Sequence, residues 1–346
     1  MEPKKPTLLS DIGEFGLISR LTANHRLIHS SSIRGIGDDA AVIESGDQCM
    51  IITTDLLVEG IHFNLIYTPL KHLGYKAVAV NLSDIYAMNA VPKQITVSIA
   101  VSGKFSLEAL EELYSGIYMA CEKYQIDLVG GDTSSSLTGL TISITAIGEA
   151  KKEEIVYRSG AQTNDLICVS GDLGAAYTGL QLLEREKAIF EKNPEIQPDL
   201  EGHDYIVGRQ LKPDPREDII RLFKENNIRP TSMIDISDGL SSEILHICKS
   251  SDKGCRIYQE KIPIDHTTAM MAGEFNIEPL ICALHGGEDY ELLFTVPLKD
   301  FEKVKEMREI HIIGKITDKE ESALMVTPEG NTVQLRAQGW DGLAAN

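Results

Sequence analysis

The 346-residue chain carries 52 acidic against 33 basic side chains, a formal net charge of −19 with no basic stripe, which excludes a nucleic-acid backbone or an anionic membrane surface as its partner. No apolar run reaches membrane-spanning length, residues 1–10 hold no signal-peptide core, and the six cysteines lack zinc-like spacing, so a cytoplasmic protein with reduced thiols is expected. At this length the chain is expected to form two compact α/β domains.

In chain order, Asp11 with Glu14 three residues on resembles a capping arrangement for a short opening helix that repeats Phe15, Ile18 and Leu21. β-Branched runs over 50–53, 94–101 and 140–147 predict strands, and helical periodicity predicts helices over 70–88 and 106–124. The pattern breaks into charged residues over 149–154, which places a domain boundary between 1–150 and 151–346. A strand over 166–170, the turn Gly171-Asp172-Leu173-Gly174 and a helix from Ala175 begin the second half. The polar stretch 184–215, with Pro194, Pro198, Pro213 and Pro215, reads as an irregular excursion holding a short helix. Helices over 216–226 and 240–249 and strands over 232–236, 256–262 and 290–296 follow, then a last helix and strands to 333. No internal repeat is evident.

Five aspartate-bearing segments punctuate this order: Gly37-Asp38-Asp39, Thr53-Thr54-Asp55, Asn81-Leu82-Ser83-Asp84, Gly130-Gly131-Asp132-Thr133 and Asp235-Ile236-Ser237-Asp238-Gly239. Each lies beside glycine or a small hydroxyl residue at the end of an apolar run, where a turn can aim several oxygens at one point. Such oxygen sets suit Mg²⁺, which is held by a few carboxylates together with substrate phosphates. Each segment also has an ordinary reading. Asp38 and Asp39 alone would be turn residues; Asp84 and Asp132 would be buried ion pairs as readily as metal ligands; Ser237 or Asp238 would cap a helix as readily as bind a ligand. Gly286-Gly287-Glu288-Asp289-Tyr290-Glu291 puts three acids in four residues and is read as a polar pocket wall, while His62 and Trp340 alone would be packing residues.

Gly35-Ile36-Gly37-Asp38-Asp39-Ala40 fits the spacing of a dinucleotide fingerprint but not its context, because a polar segment precedes it, strand-like Ala41-Val42-Ile43 follows, and two aspartates would repel a pyrophosphate. Gly103-Lys104 and Gly314-Lys315 lack the spacing of a phosphate-binding loop, and no protein-kinase signature is present.

Taken together, Gly35 to Ala41, Thr53-Thr54-Asp55 with Gly60-Ile61-His62-Phe63, Tyr75-Lys76-Ala77 through Asn81-Leu82-Ser83-Asp84-Ile85, Gly130-Gly131-Asp132-Thr133, Asp235 to Leu240 and Gly286 to Leu292 resemble the thiamine-monophosphate kinases. The resemblance spans nearly the whole chain. It implies an aminoimidazole ribonucleotide synthetase-like fold of two α/β domains, with the N-terminal sheets of two subunits closing into a barrel and hence a homodimer. It implies several Mg²⁺ ions on Asp39, Thr53, Thr54, Asp55, Asp84, Asp132, Asp235 and Asp238. ATP, the co-substrate, would meet Gly131, Asp132, Arg158 and Ser237; thiamine monophosphate would meet His62, Glu288 and Trp340. No covalent nucleophile is implied. Relatives that carry a reactive N-terminal or C-terminal cysteine are set aside, since the first cysteine is Cys49 and the chain ends Gly342-Leu343-Ala344-Ala345-Asn346. A metal-dependent phosphohydrolase or a nucleotide sensor that turns nothing over stays open on the residues alone.

Overall fold

The computed structural model describes residues 12–337. Helix α1 (Gly13–Thr22) has Ile12 at its N-cap position; the expected cap, Asp11, lies outside the described residues. Strands β1 (Ser32–Arg34), β2 (Ala41–Ser45) and β3 (Gln48–Val58) lead into α2 (Leu70–Ala87), β4 (Val91–Val101), α3 (Leu107–Tyr124), β5 (Asp127–Ser135) and β6 (Leu140–Ala150). They form one six-stranded sheet in the order β1-β2-β3-β6-β4-β5, antiparallel except at the β4–β5 pair, where α3 supplies the crossover that a parallel pair requires. Ser106 caps α3 by accepting from the Ala109 amide, as the acid-rich start of that segment predicts.

Helix α2 positions the site. Fourteen of its 18 residues are buried, so it is covered on all sides, and the polar side chains of Lys76, Asn81 and Ser83 must find partners inside the protein. It lies against α3 with backbones in contact: a Cβ on Gly74 would stand 2.0 Å from the Leu113 carbonyl oxygen, and one on Gly116 would stand 1.9 Å from that of Lys71. Fully buried Leu73, Leu82 and Ile85 anchor it in the core, each contributing about 1.5–3 kcal/mol of apolar burial.

The second half contains β7 (Leu166–Ser170), α4 (Ala175–Lys192), α5 (Asp204–Leu211), α6 (Glu217–Glu225), β8 (Ser232–Asp235), α7 (Leu240–Ser251), β9 (Gly254–Tyr258), α8 (His266–Glu274), α9 (Pro279–His285), β10 (Leu292–Val296), α10 (Phe301–Lys305), β11 (Ile310–Thr317), β12 (Ala323–Val326) and β13 (Thr332–Gln334). A seven-stranded sheet results, ordered β13-β12-β9-β11-β7-β10-β8. Strands β7, β8 and β10 are buried on both faces. Alternate side chains of β7 enter opposite cores: Ile167 and Val169 pack with α7 and α9 residues, whereas Leu166 and Cys168 pack with Phe223, Phe294 and Val304. All six cysteines are buried free thiols, and among the described residues no helix is long and apolar enough to cross a membrane.

Three expectations need correction. Helix α4 continues to Lys192 through the first part of the supposed excursion, because buried Leu182, Leu183 and Glu186 give that charged segment an inner face. The strand expected over 256–262 ends at Tyr258, and the short helices α8 and α9 follow it, too brief for a clear periodic signal. Strand β5, whose Gly-Gly-Asp-Thr-Ser-Ser sequence offers no apolar alternation, is a strand because the edge of β4 pairs with it.

Candidate active site

Three carboxylates from three parts of the chain converge. Asp39 comes from the loop between β1 and β2, Asp84 from the last turns of α2 and Asp235 from the end of β8, and one oxygen of each lies within 4.8 Å of the others. Contact of α2 with β8 brings the two sheets together at this point. The surrounding polar groups hold the carboxylates one oxygen at a time. Thr53 Oγ1 donates to Asp84 Oδ2 at 2.5 Å, and Ser83 Oγ donates to Asp235 Oδ2 at 2.7 Å. Arg158 grips Asp39 Oδ1 through Nη2 at 2.7 Å and Nε at 3.2 Å, and its backbone N–H donates to Asp38 Oδ1 at 3.0 Å. Asp55 stands next in β3, its own N–H donating to Asn81 Oδ1 at 3.1 Å.

Asp39 Oδ2 is buried and accepts no hydrogen bond among the described residues. A buried acceptor without a partner costs on the order of 1–3 kcal/mol, so the loop holds that oxygen ready for something from outside. Burial pushes the Asp39 carboxyl up to about 7, and Asp235 and Asp55 up to about 6. Asp84 is raised by burial and then by the charges of Asp55, Asp235 and Asp39. Arg158 opposes this for Asp39 and Asp235. An all-oxygen donor set with excess negative charge and an unmatched buried oxygen fits a hard divalent cation.

A second group lies nearer the start of α2. Lys76 Nζ donates to Glu288 Oε2 and to the Gln210 carbonyl, both at 3.0 Å, and Gln210 Nε2 donates to the same Glu288 oxygen at 2.7 Å. Burial lowers the His62 imidazole, and its Nδ1 accepts the Val58 N–H at 3.0 Å, which leaves a neutral ring with Nε2–H as a donor. Glu288 and Lys76 are both among the charges His62 feels. The turn carrying Glu288 is knit to the β8–α7 loop: Glu288 N donates to the Ser237 carbonyl at 2.7 Å and Tyr290 N to that of Ile236 at 2.9 Å.

Residues 37–150 match the AIR synthase related protein, N-terminal domain, family. The thiamine-monophosphate kinase of Bacillus subtilis (strain 168) is 35 % identical over 335 residues, which cover 95 % of this chain and 98 % of that protein. The chain belongs to the thiamine-monophosphate kinase family. The solved structure of AaThiL complexed with AMPPCP and TMP agrees with a TM-score of 0.82 at 30 % identity, over 98 % of this chain and 99 % of that one. A hydrogenase maturation protein HypE in complex with ATP, at 18 % identity and a TM-score of 0.67, shares the fold alone.

Within this thiamine-monophosphate kinase family fold, several expected site residues lie apart from the carboxylate group. Thr54 alternates to the opposite face of β3 from Thr53 and Asp55; its hydroxyl donates to the Ile144 carbonyl at 3.1 Å and accepts from Thr145. Gly131 and Asp132 are exposed on edge strand β5, opposite Val97 and Ser98 of β4. The N-cap position of α7 falls on Gly239, at φ +119°, rather than on Ser237 or Asp238; Asp238 N donates to Glu243 Oε1, and its charge reaches Asp235. Trp340 lies outside the described residues.

The supposed acidic pocket wall divides. Glu288 faces the Lys76 group, whereas Asp289 accepts the Gly174 and Ala176 amides at the start of α4, and Glu291 meets Arg216 at 2.5 Å and Arg209 at 3.2 Å. Sequence reasoning missed Lys76 and Gln210 as members of the site. A lysine and a glutamine inside otherwise apolar helix faces were the signal for both, since buried polar side chains need partners.

Proposed function

We propose that the protein transfers the γ-phosphoryl group of ATP to the phosphate of thiamine monophosphate, giving thiamine diphosphate and ADP. The observation that carries this reading is the convergence of Asp39, Asp84 and Asp235 within 4.8 Å in a chain of this family. Support for the substrates comes from the names of the relatives and from the nucleotide analogue and TMP in AaThiL.

No enzyme nucleophile is needed. The second pKa of a phosphate monoester lies near ~6, so the acceptor oxygen is already mostly ionised at neutral pH. The obstacle is charge, because like unit charges about 4 Å apart oppose each other by roughly 4 kcal/mol at an effective dielectric of about 20. Asp39, Asp55, Asp84, Asp235 and Asp238, with Thr53, would hold Mg²⁺, which when bound supplies the positive charge that lets two polyanions meet in line. The protein's own groups do the rest. Arg158 adds fixed positive charge beside Asp39, Ser83 and Thr53 hold two carboxylates in orientation, and His62 offers a neutral N–H donor. Ser237 would contact the nucleotide; Glu288 and Trp340 would receive the cationic rings of the acceptor.

The division into 1–150 and 151–346 belongs to this reading, with the two separate sheets as support, as does a cytoplasmic location. So does a homodimer. Strand β5 is a nine-residue edge, exposed along nearly its whole length in the single chain, and pairing it with a second subunit would close the barrel and bring Gly131 and Asp132 into a completed site.

Incubating the purified protein with Mg-ATP, with and without thiamine monophosphate, and resolving the products tests the proposal. Thiamine diphosphate and ADP in equal amounts, formed only with both substrates, is the expected result. Inorganic phosphate released without an acceptor would identify a phosphohydrolase, and no turnover would identify a nucleotide sensor.

A further inference from the structure

We propose that Lys76 and Gln210 are positioning residues for Glu288 and thereby fix where the ring end of the acceptor is held relative to the carboxylate group. The inference rests on the reading of Glu288 as an acceptor contact.

Glu288 lies in a turn of unusual backbone. Gly287 has φ +70°, Glu288 +58° and Tyr290 +52°, and for the two non-glycine residues that left-handed conformation persists only where the surroundings impose it. Those surroundings are visible. The Glu288 N–H is tied to the Ser237 carbonyl, and its Oε2 takes both the Lys76 Nζ and the Gln210 Nε2. Two donors on one oxygen set the plane of the carboxylate and leave Oε1 without a bond among the described residues. The Glu288 side chain is 27 % exposed against 4 % for Lys76, so the anchor is inside and the acid faces the opening.

The Gln210 amide can adopt only one of its two orientations here, since the reverse would press Oε1 against the Glu288 carboxylate. The price is a buried Gln210 Oε1 that accepts no hydrogen bond among the described residues, a defect that makes sense if the amide is committed to Glu288. Lys76 is committed likewise, with its backbone in α2 and Nζ divided between Glu288 and the Gln210 carbonyl. Asp84 lies eight residues farther along α2, about 12 Å along the axis at 1.5 Å per residue. One rigid helix therefore carries both the carboxylate that faces the phosphates and the lysine that holds the ring contact. A substrate with a phosphate at one end and a cationic, N–H-bearing ring system at the other fits that separation.

The test is a double-mutant cycle. KM for thiamine monophosphate, KM for ATP and kcat are measured for wild type, Lys76→Met, Gln210→Leu, Glu288→Gln and each double variant with Glu288→Gln. Loss of one charge-assisted hydrogen bond predicts that Lys76→Met and Gln210→Leu each raise KM for thiamine monophosphate roughly tenfold, with KM for ATP within about twofold. In the Glu288→Gln background neither should add a further effect. Equal effects in both backgrounds, an unchanged acceptor KM, or a matching rise in KM for ATP would overturn the inference. If Lys76→Met fails to fold, Gln210→Leu decides alone, because it keeps the backbone carbonyl that Lys76 also uses. A wild-type protein that forms no thiamine diphosphate overturns the proposed function and this inference with it; an active wild type with unmoved acceptor KM values overturns only this inference.

Discussion

Two groups of buried or half-buried acids in this protein are compensated in different ways. At Asp289 and Glu291 the compensation is internal: both Asp289 oxygens accept amides at the start of α4, and Glu291 lies between Arg209 and Arg216. At Asp39, Asp84 and Asp235 the acids face one another with Arg158 as the nearby cation, and a buried Asp39 oxygen is unmatched. Burial alone therefore does not distinguish a structural acid from a functional one. The second set differs because its members repel one another wherever they are ionised, with less positive charge from the protein to offset them.

The largest effect that would break this comparison is on turnover. Asp84→Asn should lower kcat for thiamine diphosphate formation by about a thousandfold or more while the metal-free thermal midpoint stays level or rises, since a repelling charge has been removed. Activity within tenfold of wild type would remove Asp84 from the machinery. Arg216→Met should do the opposite: it leaves Glu291 short of its closest cation and costs about 3–5 kcal/mol in urea denaturation, with both KM values unmoved. A variant of unchanged stability would mean that Arg209 suffices.

The third prediction concerns pH. The Asp39 carboxyl, raised to about 7, and those of Asp55 and Asp235, raised to about 6, hold protons in the native state that the unfolded chain releases near ~3.9. That contribution to stability is fully present below the unfolded value and is lost as pH rises through the folded ones. The metal-free midpoint should accordingly fall by several degrees between pH 5 and pH 8. Asp289, raised by burial to about 7, adds a slope of the same sign, but Mg²⁺ separates the two groups by flattening only the part due to the carboxylates it binds. Thermal scans in chelator and in Mg²⁺ across this range make the measurement, and an equal Mg²⁺ shift at pH 5 and pH 8 would contradict it.

Much of the site was legible along the chain. Asp84 stood out because an acid in an otherwise apolar run is costly without a partner, and the structure brings it together with Asp235 and with Asp39, which alone reads as a turn residue. The direction of each side chain was less legible. Thr54 and Thr53 are adjacent in sequence, yet strand alternation turns their hydroxyls to opposite faces. Asp289 and Glu291 resemble Glu288 in composition, but the partners of Glu291, Arg209 and Arg216, and the Gly174 and Ala176 amides that Asp289 accepts all lie far earlier in the chain. Strand β5 had no apolar pattern to announce it, because its pairing comes from β4 and its side chains are exposed.

The sequence by itself determined which segments carry acids, the alternation of strands and helices in the first half and the family to which those segments belong, since propensity, periodicity and residue order are local properties. Only the tertiary structure decided which acids share a charge environment and which are neutralised within the protein. That outcome depends on distances between groups far apart in the chain, and the packing of α2 against β8 sets those distances.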